Sequence, residues 1–269
     1  MRILWHNKEV MTLLKLFSFT TIILILFSFS AQAQQDQKAS TAEDVAIAFY
    51  KLGGITPKFT NWITEIDPYI HTPVARRPMV MEQERERLNK AYQNFRASED
   101  FLIVLTKANL IPTAHQERIK DKEGKQEIIK HYNLEIDFGQ NVDLFYIPYE
   151  FAGQNFMVVP DKIQSLTHHT LHEFDYNRIR TNTTQKKAVP LILRLKPYDA
   201  DIEKPYNVDG LDQWALKAEI VSMETWDRKG SLIWEYSAPW YVSPNSKKIK
   251  KLYQERKDDN DMITEGYLQ

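Results

Sequence analysis

Apolar residues in this chain form one continuous block and then two kinds of periodicity. The block is Leu16 to Phe29, uncharged and rich in Leu, Ile and Phe. Beyond it, Val45, Ala46, Ala48, Phe49 and Leu52 recur at helical intervals. Ser40-Thr41-Ala42-Glu43 has the spacing of a capping box and Gly53-Gly54 can end a helix, so the pattern predicts a helix from about Thr41 to Leu52. From Ile55 to Arg77, Pro57, Pro68 and Pro73 interrupt regular structure, and short helical turns with packed loop are expected. Pro78 suits the first turn of a second helix over Met79 to Arg96, where Met81, Leu88, Tyr92 and Phe95 can share a face.

After Asp100 the period shortens to two. Phe101 to Thr106 reads as a buried strand, and the charged stretch Ala114 to Gln126 as a loop or hairpin tip. Tyr132, Leu134, Ile136 and Phe138 alternate with His131, Asn133, Glu135 and Asp137, a strand with one wet face. Gly139-Gln140-Asn141 is expected to turn the chain into a partner strand over Val142 to Tyr149, with another at Phe156 to Val159. Leu191, Leu193 and Leu195 alternate with Arg194 and Lys196. A hairpin is expected from about Trp214 to Tyr236, turning at Asp227-Arg228-Lys229-Gly230. Lys247 to Lys257 reads as a short basic helix before an acidic tail.

Helices first and hairpin-connected strands afterwards predict an α+β fold, with a largely antiparallel sheet. The expected organisation is a helical section over about 40–98, a β-rich section over about 100–240, and a short C-terminal helix and tail over about 245–269. These form one domain spanning 34–269.

The apolar block has a different destination. Lys15 precedes it and Ala31-Gln32-Ala33 follows, which is the layout of a secretory signal peptide over 1–33, with Ala31 and Ala33 at the −3 and −1 positions of cleavage before Gln34. The run is shorter than the roughly 20 residues that span a bilayer, so no transmembrane segment is expected after its removal. Met11 would give the more compact leader, and translation is expected to start there. Export makes the complete absence of cysteine informative. It excludes disulfides, thiol catalysis, Cys-ligated metals and lipid attachment at cysteine, and it suits a bacterial periplasmic or secreted protein. The formal net charge of −1 gives no field that would recruit nucleic acid.

Candidate chemistry is sparse. In His168-His169-Thr170-Leu171-His172-Glu173, a helix would put His168 and His172 one turn apart as metal ligands, with Glu173 as a further ligand or base. On a strand, those two imidazoles would be about 13 Å apart. Asp199, Asp201 and Glu203, and separately Glu135 and Asp137, are carboxylate groupings that read as solvated. Nucleophile elbows and phosphate-cradling glycine loops are missing, and no cofactor is expected. Trp234, Tyr236, Trp240 and Tyr241 cluster in sequence and are the candidate ligand-binding surface, for an envelope protein, a peptide or a glycan. The expectation is therefore an exported envelope protein acting as a non-enzymatic binding or interaction module. The alternative is a metal-assisted periplasmic hydrolase using the His168 to Glu173 segment.

Overall fold

The computed structural model describes residues 38–120, 124–139, 145–183, 187–227 and 230–245. The elements below all belong to Ser40–Gln269, the second of two compact units. The signal peptide with Ala31 and Ala33, the turn at Gln140 and Asn141, and the basic C-terminal helix lie outside the described residues.

The chain begins with helices α1 (Ala42–Leu52), α2 (Phe59–Glu65), α3 (Asp67–Ile70) and α4 (Arg77–Asn94). Strands β1 (Leu102–Lys120), β2 (Gln126–Asp137), β3 (Ile147–Phe151), β4 (Gln154–Asp161) and β5 (His168–Leu171) follow. Helix α5 (Glu173–Asn182) precedes β6 (Val189–Ala200), β7 (Tyr206–Val208), β8 (Leu211–Trp226) and β9 (Leu232–Ser237). This is the α+β architecture expected from the pattern, with a nine-stranded, mostly antiparallel sheet. Among the described residues no helix is long and apolar enough to cross a membrane.

The capping box of α1 lies one residue later than its spacing suggested. Thr41 Oγ1 accepts from the Asp44 amide (3.2 Å), and Asp44 Oδ2 accepts from the Thr41 amide (2.7 Å). Ser40 instead pairs with β1, its amide reaching the Ile103 carbonyl at 2.8 Å and its hydroxyl accepting from the Ile103 amide at 2.9 Å. Glu43 is engaged elsewhere. Its carboxylate takes Arg87 of α4, whose Nε also reaches Glu84. Both carboxylates drive the Arg87 pKa upward. The buried face of α1, from Val45 to Phe49, lies on the sheet, with Phe49 against Phe156 of β4 (5.4 Å) and Trp214 of β8 (5.7 Å).

Strand order is β3-β4-β8-β6-β1-β2-β5, and β7 and β9 also pair with β8. Strand β1 changes partner along its length. Leu102 to Ala108 pairs with β6, and Asn109 to Lys120 pairs with β2. Within that second stretch, Ala114 to Lys120 reads from the sequence as loop, because no apolar face marks it. Main-chain ladder bonds alone can sustain such a ribbon, and periodicity cannot register them. Strand β3 does not return onto β2. It pairs with β4 through Ala152-Gly153, both at positive φ, as a two-residue hairpin turn requires.

Strand β8 organises the larger part of the sheet. Its Leu216 to Glu224 stretch pairs with β6, so the parallel contact with β4 and the hairpin with β9 share the other edge, end to end. The hairpin expected from about Trp214 to Tyr236 is present as β8 and β9, closed by the Asp227 carboxylate accepting from the Ser231 amide at 2.8 Å.

Candidate functional site

The four candidate aromatics are divided between two faces of the β8–β9 hairpin. Trp234 is 4% exposed and points inward with the half-buried Tyr236. The two rings lie 5.1 and 5.3 Å from the imidazole of His169 on β5. Trp240 and Tyr241 sit beyond β9, on a segment running from Ala238 to Asn245 across the opposite face. Trp240 is 50% exposed, stacked near Lys196 at 5.1 Å, whereas Tyr241 packs on Phe101 at 5.5 Å. One continuous aromatic platform is therefore not formed by these four residues.

Beneath that segment lies a polar cluster that alternation alone assigns to a wet face. Arg194 is 9% exposed and Glu224 is fully buried, their charges 3.9 Å apart. Glu224 Oε2 also accepts from Trp226 Nε1 and from Asn245 Nδ2, each at 2.9 Å. Glu235 is the direct cross-strand neighbour of Glu224. Burial raises its pKa, and the Glu224 charge adds to the rise, against hydrogen bonds from Ser243, Ser237 and Asn245. Through Asn245 on Glu224, and Ser243 and Asn245 on Glu235, the cluster ties the Ala238 to Asn245 segment to the sheet.

The His168 to Glu173 segment is split by a change of element. His168 to Leu171 pairs with β2 as β5, opposite Glu135 to Tyr132. His172 is then the N-cap of α5, its Nδ1 accepting from the Phe174 amide at 3.3 Å. A helix carrying His168 and His172 one turn apart thus does not form, because the ladder with β2 takes His168. Among the described residues no group of three or more His, Asp or Glu is placed to hold a metal ion. His168 lies in a shallow cleft of about 300 Å³ with Glu135, Thr113, Asn133 and Thr170. His169 faces the other way. Burial lowers its pKa, partly opposed by the Leu166 carbonyl, which lies 2.8 Å from Nε2.

That depressed value has a measurable consequence. The unfolded chain binds a proton at His169 more readily than the folded one, so stability is lost as pH falls below the ordinary value of 6.5. We expect His169→Phe, which keeps a ring against Trp234 and Tyr236, to flatten the loss of urea stability between about pH 7 and pH 5. A variant with the same slope as the parent would assign that loss to other groups.

Glu173 opens a cleft of about 370 Å³ between α5 and the β1–β2 ribbon. Glu173, Tyr176, Asn177 and Arg180 follow the i, i+3, i+4, i+7 spacing, so one face of α5 forms the wall. The floor comes from Ala114 and Gln116 of β1 with Lys130 and Tyr132 of β2, which share a face because Ala114 opposes Tyr132 and Gln116 opposes Lys130. Tyr132 and Tyr176 pack at 4.9 Å with their rings tilted by 38°, and the Arg180 guanidinium lies 5.5 Å from the Tyr176 ring. Burial, and a hydrogen bond to Glu173, raise the Tyr132 pKa. Of these residues only Glu173 stood out in the sequence. A 3.6-residue period over 173–180 is present, but its members are polar, so hydrophobic patterning does not register it.

Three of the remaining candidate carboxylates are locally satisfied. Asp201 accepts from the Tyr206 hydroxyl (2.6 Å) and the Glu203 amide, both lowering its pKa, and Asp199 pairs with Lys217 at 2.9 Å. Asp137 accepts from the Gly139 amide at 2.8 Å, which lowers its pKa, as does Asn109.

Comparison with known protein families, with curated proteins and with solved structures finds no match to this chain.

Proposed function

We propose that this chain is an exported bacterial envelope protein, periplasmic or secreted, that works as a non-enzymatic binding module through the cleft between α5 and the β1–β2 ribbon. The observation that carries the binding reading is the composition of that cleft. Two packed tyrosines, two amides, a carboxylate and two cations converge around about 370 Å³. Sites for small ligands characteristically combine such ring surface with a few directed polar groups. The export reading rests on the leader pattern and on the cysteine-free composition. A hydrolase built on His168 and His172 has no comparable geometric support.

Both parts are tested on protein expressed with its leader and recovered by cell fractionation. Protein in the periplasm or medium, beginning at Gln34, is expected; retention in the cytoplasm with the leader intact would defeat the export reading. Native mass spectrometry of the same material is expected to show a bound small molecule that is lost in Tyr176→Ala. A bare mass, together with no binding of candidate ligands at the α5 cleft, would defeat the binding reading.

A further inference from the structure

We propose that the α5 cleft takes an acidic sugar, a short glycan bearing a carboxylate, anchored by Arg180 and Lys130. This assignment of ligand class rests on the binding reading above. Its first support is the charge inventory of the cleft. Lys130 and Arg180 contribute two cations, and Glu173 contributes one carboxylate, which bonds Tyr132. Neither cation has a carboxylate partner among the described residues. Arg178, two positions away on the same helix, differs: it is closed off by Asp175 at 2.7 Å.

Arg180 is also oriented. Its guanidinium lies over Tyr176, which is held in turn by Tyr132, so the planar fork is placed before any ligand arrives. Such a fork suits a carboxylate better than the point charge of a lysine does, and less freedom is lost on binding.

The other lining groups select the rest of the ligand. Gln116 and Asn177 each offer an amide donor and an amide acceptor, the Tyr132 hydroxyl, whose proton goes to Glu173, offers an acceptor, and the Glu173 carboxylate accepts. Mixed donors and acceptors at short spacing match vicinal hydroxyls. The only aliphatic side chain in the lining is Ala114, so the apolar surface a ligand meets is mostly ring, from Tyr132, Tyr176 and His115. A bare inorganic anion would engage the two cations and leave the amides and rings unused.

The probes are a trigalacturonate and its methyl ester, which keeps every hydroxyl and removes the charge, titrated calorimetrically into the purified protein. The acid is expected to bind at least about tenfold more tightly than the ester, with the difference shrinking as salt is raised. Arg180→Gln and Lys130→Gln should each weaken the acid by about tenfold and leave the ester unchanged. Both side chains are exposed, so folding is not at stake. Chemical-shift changes should centre on Tyr176 and Asn177. Equal binding of acid and ester, or inorganic phosphate or a hexaglutamate peptide displacing the acid at equal concentration, would overturn the acidic-sugar assignment and leave the cleft as a binding site. No binding of either sugar also overturns it, while the co-purified ligand and its loss in Tyr176→Ala decide the binding reading separately.

Discussion

Phe156→Ala is expected to destabilise the protein by about 3–5 kcal/mol, the range for removing a large ring from a close-packed interior. Phe156 is fully buried on β4, the strand that joins the β3 hairpin to β8. Its ring meets Phe49 at 5.4 Å and Tyr50 at 6.5 Å, so it also carries the docking of α1 onto the sheet. Removing it leaves a void between a helix and a sheet that cannot easily close, since α1 is held at one end by its capping box and Glu43 is tied to Arg87. Urea unfolding should show a lower midpoint with an unchanged slope, because the surface exposed on unfolding is nearly the same. Phe156→Leu, which keeps most of the volume, should cost less than about 1.5 kcal/mol. A loss under about 1 kcal/mol for the alanine variant would mean that α1 settles into the gap.

Arg194→Met should produce a loss of similar size, about 3–5 kcal/mol, for a different reason. Glu224 is fully buried, and among the described residues Arg194 is the cation that lies within ion-pair reach of it. Methionine keeps much of the volume and removes the Arg194 charge from beside Glu224 and Glu235, its cross-strand neighbour. Breaking one half of a buried pair costs far more than the pair contributes, because the surviving charge stays out of water while losing its countercharge. The double variant Arg194→Met with Glu224→Leu is the informative companion. It should recover most of the loss, apart from the hydrogen bonds of Trp226 and Asn245 to Glu224. A single variant within about 1 kcal/mol of the parent would show that those two donors suffice to hold the carboxylate.

The fold class was readable because it depends on the face each element turns to the core. Phe49 recurs with Val45 at helical spacing, and Leu134 recurs with Ile136 at strand spacing, and all four are buried. Where an element has no apolar face, that signal is silent. The ribbon from Ile111 to Lys120 is one case. Helix α5 is another, with Ile179 as its sole buried residue and charged, polar or half-buried aromatic side chains through the rest. The candidate cleft lies between these two elements, so most of its residues were invisible to patterning.

The candidate residues show the same division. Trp234 and Trp240 are six positions apart and equally aromatic, yet one is packed beneath His169 and the other is half exposed. Their difference comes from the path of the chain after β9, which carries the Ala238 to Asn245 segment over the outer face. That path also converts Arg194 from a wet-face residue into a buried one. For His168 and His172, pairing with β2 decided between strand and helix.

By itself, the sequence determined the order of helices before strands, the antiparallel character of the sheet, the β8–β9 hairpin and the exclusion of cysteine chemistry. Each of these follows from local periodicity, turn residues or composition. Only the tertiary structure decided that β3 pairs with β4, that Glu224 and Arg194 are buried under the chain that follows β9, and that Tyr132, Tyr176 and Arg180 converge. Alternation states which side chains share a face, but it carries no information about which distant segment covers that face, and burial and convergence are properties of the cover.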